Sequence, residues 1–304
     1  MKKVFLKITN TKRLYAIANI LLIVIFSITT FSCSKDDDVK PPVIADEISQ
    51  DIKDLIYFRG DEKASTVLIT VPGGPSTELA TGIVDYLSNT FNLTGVLNVT
   101  VHQAQTLNPD ILEGNEITLD QAVNFNAESV EKLYQVVKYF KDEGRTIYIL
   151  GNSYGAFVAQ ELIAEKGFDV ADKYLIVTGR LNINDVFWQA LAEGRLAEFE
   201  NGVTPIIAPE PFENTFNKNE ARLFAGIIKN RYIQDFNSIE DLSNMTYIYG
   251  ATDEAVGGLT DQEITFLQSK NTNIIAGDGG HDTTLDDYIV QGFNEAFGIQ
   301  KRSF

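Results

Sequence analysis

The sequence predicts an α/β sandwich built on a mostly parallel sheet, and three observations carry that prediction. Short apolar runs rich in β-branched residues recur along the chain, and longer stretches with helical spacing lie between them. Runs of this kind suit strands buried on both faces between two helix layers. One run stops at Gly151-Asn152-Ser153-Tyr154-Gly155 and a helical pattern starts at once, as a β–α unit requires. Finally, 304 residues at 44% hydrophobic and 11% aromatic supply a large packed core and exclude a disordered chain.

Ahead of the first run, residues 1–33 are of another kind. Lys2, Lys3, Lys7, Lys12 and Arg13 form a basic head, and no acidic residue precedes Asp36. The apolar stretch LYAIANILLIVIFSITTFS then leads to Cys33, the only cysteine of the chain. A basic head before an apolar middle is the pattern of a secretory signal. A single cysteine cannot close an internal disulfide, so Cys33 has another use. The segment resembles a bacterial lipoprotein signal, which implies that Cys33 is lipidated and becomes the mature N-terminus. The SKDDD that follows resembles the acidic tag of surface-exposed lipoproteins of Bacteroidetes. The resemblance implies an outer-membrane location, with the lipid as anchor and the protein facing the cell surface or the periplasm. An uncleaved membrane anchor is the alternative, because the stretch approaches the length that spans a bilayer. Residues 34–47, charged and proline-bearing, read as a flexible acidic tether. The globular domain is expected over 48–304. A formal net charge of −17 repels nucleic acid and anionic headgroups, so no nucleic-acid partner is expected and attachment runs through lipid.

Within 48–304 the elements come in order. LIYFRG (Leu55–Gly60) is the weakest run and reads as an edge strand. STVLITV (Ser65–Val71), VLNVTV (Val96–Val101), TIYIL (Thr146–Leu150), YLIVT (Tyr174–Thr178), MTYIYG (Met245–Gly250) and TNIIA (Thr272–Ala276) read as buried strands. ESVEKLYQVVKYFKDEG sets Val130, Leu133, Val136, Val137 and Phe140 at helical spacing. The last helix, Leu285–Phe297, sets Ile289, Phe293 and Phe297 on one face. The rhythm breaks between Arg180 and Leu242, where no good strand is found. DVFWQALAEGRLAEF and EARLFAGIIKNRYIQDF read there as helices. A helical cap insertion at about 181–242 is therefore expected over the C-terminal edge of the sheet, where open α/β folds bind ligands.

The G-x-S-x-G at 151–155 is a candidate nucleophile turn. A strand that passes straight into a helix through a serine strains that serine, and its neighbours must lack side chains. The serine oxygen then stands at a helix N-terminus, whose amides favour developing negative charge. A serine hydroxyl needs a base. His281, in the loop AGDGGHDTT after the last strand, is the candidate base, and the glycines before it let that loop approach the serine. His102, the other histidine, precedes the serine; it reads as a core or rim residue, with substrate contact as a lesser alternative. Asp253, in GATDEAV after MTYIYG, is the candidate acid to orient the imidazole. Glu254 is its neighbouring rival and Asp185, after the previous strand, a third candidate. The oxyanion needs two backbone N–H groups. Tyr154 would give one, and the twin glycines Gly73 and Gly74 in VPGGPS would give the other.

GNSYGA, PGGP, GATDEAV and GDGGH stand in the order of the α/β-hydrolase superfamily, which the chain resembles over roughly 48–304. VPGGPS is similar to the oxyanion segment of its proline iminopeptidase-like members, written H-G-G-P-G. The resemblance implies Ser153 as nucleophile, Asp253 as acid, His281 as base, and Gly73 or Gly74 with Tyr154 as oxyanion hole. Pro72 replaces the usual histidine and Ser76 the last glycine, and VHQAQTLNPD stands where the iminopeptidases carry D-x-R-G-x-G-x-S.

The expected function is a lipid-anchored serine hydrolase outside the cytoplasm, cleaving an ester or amide of a small-molecule, lipid or peptide substrate. No cofactor is expected, since no nucleotide fingerprint appears, and no metal, since two separated histidines and one cysteine form no cluster. The alternative is a ligand-binding surface lipoprotein on a hydrolase scaffold, marked by a triad that does not assemble.

Overall fold

A computed structural model describes residues 47–303. The expected signal segment, Cys33 and all of the tether before Glu47 lie outside the described residues. The strands are β1 (Ile56–Arg59), β2 (Thr66–Val71), β3 (Val96–Val101), β4 (Thr146–Asn152), β5 (Lys173–Val177), β6 (Arg195–Glu200), β7 (Thr204–Pro211), β8 (Met245–Gly250) and β9 (Asn273–Gly277). The longer helices are α1 (Thr81–Thr90), α2 (Leu119–Asp142), α3 (Tyr154–Lys166), α4 (Asp185–Ala192), α5 (Thr215–Ile228), α6 (Asp261–Ser269) and α7 (His281–Phe297).

Seven strands form one sheet in the order β1-β3-β2-β4-β5-β8-β9. β1 is the antiparallel edge, paired with β3, and every other neighbouring pair is parallel. All seven expected strand runs lie in this sheet. Alternation along each strand feeds two cores. Val67, Ile69 and Val71 of β2 pack with Leu133 and Val137 of α2 and Phe157 of α3. Leu68 points the other way, into a core with Leu87 of α1, Phe91 just after it, and Ile289 and Phe293 of α7. Phe91 and Phe293 stack at 4.0 Å, the kind of pair that adds about 1 kcal/mol beyond its buried area.

The strand order reverses between β2 and β4. The chain leaves β2 towards α1 on one face and leaves β4 towards α3 on the other. The two connections part there and leave a crevice at the carboxyl ends of the strands, the place where open α/β sheets bind ligands.

Three local expectations need correction. The segment 181–242 does contain strands: β6 and β7 form an antiparallel hairpin apart from the main sheet. Its turn places Asn201 and Gly202 at positive φ, 52° and 68°, as a tight hairpin turn demands. RLAEF thus does not continue the α4 pattern, because Gly194 at φ 75° ends that helix. Helix α2 begins at Leu119, well before the expected stretch, because Thr118 and Gln121 form a capping box ahead of its apolar positions. Helix α7 begins at His281, before Leu285, so the histidine expected in a loop opens a helix. Among the described residues no helix is long and apolar enough to cross a membrane.

Candidate active site

Ser153 occupies the turn between β4 and α3 with φ 53° and ψ −121°, a conformation that a non-glycine residue rarely adopts. The glycines around it are required by contact. A Cβ on Gly155 would lie 2.0 Å from the Val71 carbonyl oxygen, and one on Gly151 2.8 Å from the Gly155 oxygen. The turn is pinned by the Ser153 N–H, which donates to the Val177 carbonyl at 3.0 Å.

His281 Nε2 lies 2.8 Å from Ser153 Oγ, and His281 Nδ1 lies 2.8 Å from Asp253 Oδ2. An ionised Asp253 can only accept, so the neutral ring carries its proton on Nδ1 and accepts from the serine hydroxyl at Nε2. Asp253 is 1% exposed. Its Oδ1 accepts the N–H groups of Ala255 and Val256, each at 2.9 Å, which leaves Oδ2 aimed at the imidazole. Burial opposes a charge on His281. The Asp253 hydrogen bond and charge, then Asp282 and Glu254, outweigh it and raise its pKa above the ordinary imidazole value.

Gly73 and Gly74 face the serine. A Cβ on Gly73 would stand 3.4 Å from Ser153 Cβ. Both glycines line the cavity of about 230 Å³ that also holds Ser153 and His281. Tyr154 opens α3, so its N–H has no intrahelical acceptor. Among the described residues the N–H groups of Gly73, Gly74 and Tyr154 donate to no other group. The tyrosine ring itself is buried, with its hydroxyl donating to Asn126.

The other candidates lie elsewhere. Glu254 touches the base rather than replacing Asp253: its Oε2 accepts the His281 backbone N–H at 3.1 Å. Asp185 accepts from the Trp188 indole at 2.9 Å and pairs with Arg231, away from the imidazole. His102 directly follows β3 with Nδ1 3.0 Å from Thr106 Oγ1, and lines neither cavity next to the serine. Burial, followed by the Lys132 charge, lowers its pKa.

Two features escaped the sequence reading. Arg180, after β5, meets Glu263 of α6 in a buried bidentate pair, with Nε–Oε1 at 3.0 Å and Nη2–Oε2 at 2.7 Å. Its Nη1 donates to the Val256 carbonyl at 3.3 Å, which ties the pair to the Asp253 loop. Burial opposes the Glu263 charge, but Arg180 and the amides of Asn182 and Thr260 outweigh it and lower its pKa. Gln103, 2% exposed, donates from Nε2 to the Pro72 carbonyl at 2.9 Å and so props the glycine loop from below. It sits in the HQAQ that follows β3. Among the described residues, no group of three or more His, Cys, Asp or Glu side chains converges as a metal site.

Sheet order, elbow and helix layers together are those of the α/β-hydrolase fold. An α/β-hydrolase enzyme from a Medee basin deep-sea metagenome library matches with a TM-score of 0.51 at 13% identity, over 82% of this chain and 96% of that one. A peroxisomal α/β-hydrolase of Saccharomyces cerevisiae gives 0.48 at 9% identity, over 80% and 79%. An esterase of Exiguobacterium antarcticum gives 0.48 at 11% identity, over 78% and 91%. At these identities the likeness is one of fold. No protein-family model matches the sequence, and no curated protein matches it.

Proposed function

We propose that this protein is a serine hydrolase that cleaves an ester or amide through an acyl-enzyme on Ser153. The observation that carries the reading is the unbroken hydrogen-bonded chain from Ser153 Oγ through His281 to Asp253. Ser153 Oγ attacks the carbonyl carbon as its proton passes to His281 Nε2, and Asp253 holds the imidazolium that forms. The carbonyl oxygen takes the negative charge and meets the N–H groups of Tyr154 and of Gly73 or Gly74. The tetrahedral centre collapses and the bond to the leaving group breaks. His281 returns its proton to that group. A water molecule, deprotonated by the same nitrogen, then releases the acid and restores the serine.

A non-catalytic binding lipoprotein would have Asp253 turned away from the histidine, whereas its Oδ2 faces Nδ1 at 2.8 Å. Lipid attachment at Cys33 and residence at the outer membrane belong to the same proposal and are supported by the sequence of residues 1–38. Cys33→Ala should abolish incorporation of labelled palmitate into the protein, and unchanged incorporation would refute attachment there. For the chemistry, a short fluorophosphonate should label the wild-type protein at Ser153 and leave Ser153→Ala and His281→Ala unlabelled. Absence of labelling in folded wild type would refute the hydrolase.

A further inference from the structure

The small cavity at Ser153 opens beside a larger one. A cleft of about 400 Å³ lies between α1 and α7, and it shares Gly73, Asn152 and Leu285 with the serine cavity. It occupies the crevice at the β2–β4 switch point. Thr70 and Leu150, near the ends of those strands, form part of its floor. Ile83, Tyr86 and Leu87 of α1 face Leu285 and Ile289 of α7 across it. Among its lining residues there is no lysine, arginine or histidine. Exposed acidic side chains stand near both cavities, Asp286 on the cleft and Asp282 on the serine cavity.

We propose that this cleft is the acyl site, and that the substrate is an ester carrying a neutral aliphatic acyl chain. The inference rests on the hydrolase reading, because it assigns a direction to the two halves of a bound ester. His281 Nε2 must protonate the leaving group, so that group lies next to His281. The histidine lines the serine cavity and not the cleft. The substituent that enters the cleft is therefore the one that stays on Ser153 in the acyl-enzyme. Its walls offer apolar area to a methylene chain and nothing cationic to a carboxylate, and the rim carboxylates repel an anion. Hydrolysis converts the bound ester into a carboxylate beside Asp282 and Asp286, so the same charges favour release of the acid product.

The test is a series of p-nitrophenyl esters with one leaving group and acyl chains from acetate to decanoate. The reference is fluorophosphonate labelling of the same wild-type preparation. Each methylene that enters the cleft should raise kcat/KM about fourfold until the cleft is full. A terminal carboxylate on the chain should abolish the gain. Ile83→Trp places an indole in the cleft and should flatten the series. Tyr86→Ala, at a rim position 45% exposed, keeps the core intact and should move the optimum to longer chains. A flat series on wild-type protein that is labelled at Ser153 would overturn the acyl site and leave the hydrolase standing. So would a gain that persists unchanged in both variants. Folded wild-type protein without labelling would overturn both.

Discussion

The insertion between β5 and β8 meets the loop of Asp253, the cleft between α1 and α7 adjoins the cavity of Ser153, and the two are built in opposite ways. The insertion is dense and tied down. Phe187 of α4 stacks on Phe199 of β6 at 4.4 Å, and the Phe199 N–H donates to the Glu254 carbonyl at 2.7 Å. At the hairpin tip the Gly202 carbonyl accepts from Gly258, and a Cβ on Gly202 would lie 2.2 Å from the Ala251 oxygen. The tip is thus pressed onto the loop that carries Asp253. The α1–α7 side is an apolar opening that adjoins Ser153, and no residue of 181–242 lines it or the serine cavity. An insertion at this point of the chain suggests a lid over substrate. In this molecule its described contacts brace the loop of Asp253, and both cavities at the serine are lined from elsewhere.

The comparison can be broken most severely at Asp253. Asp253→Asn should lower kcat about 10⁴-fold, since an amide presents the wrong partner to Nδ1. If brace and cleft are separate, the preference for long over short acyl chains should survive in the residual activity. A collapsed preference would show that the two regions act as one. Next in size is Glu263→Gln, which leaves the Arg180 guanidinium buried without its counter-charge. Breaking a buried pair in this way costs about 3–5 kcal/mol, readable as a drop in the urea midpoint. A loss below about 1 kcal/mol would mean that the pair does not hold this side together.

Gln103→Leu acts from beneath the glycine loop. Losing the bond to the Pro72 carbonyl should let the oxyanion donors drift and cut kcat by up to about a hundredfold, with little change in KM. A rise in KM alone would assign Gln103 to substrate binding instead. The smallest effect concerns Glu254, whose charge helps raise the His281 pKa. The base must be neutral to accept the serine proton, so activity rises with pH through that pKa. Glu254→Gln lowers the pKa, and the acid limb of the kcat/KM profile should move to lower pH. A limb that stays in place would remove Glu254 from the electrostatics of the base.

The sequence carried much of this site, for a definite reason. The elbow at 151–155 is a local conformation, and local conformations write themselves in glycine. Gly155 is present because any side chain would strike Val71. The strands were readable because burial on both faces demands continuous apolar runs. The hairpin at β6–β7 was also encoded, in Asn201-Gly202, but RLAEF reads equally as a continuing helix when its neighbours are unknown. His281 looked like a loop residue because the glycines before it conceal a helix start.

Residue types and their order therefore determined the sheet, the elbow and the candidates for nucleophile, base and acid. Tertiary structure alone chose among acids that the chain offers side by side. Asp253 and Glu254 are neighbours in sequence, and only the amides of Ala255 and Val256 turn one towards the imidazole while the other reaches a backbone N–H. It alone joined Arg180 to Glu263, 83 residues apart, and opened the α1–α7 cleft on the side away from the insertion. Contacts between distant segments are fixed by how whole layers pack, and no local pattern records which surfaces will meet.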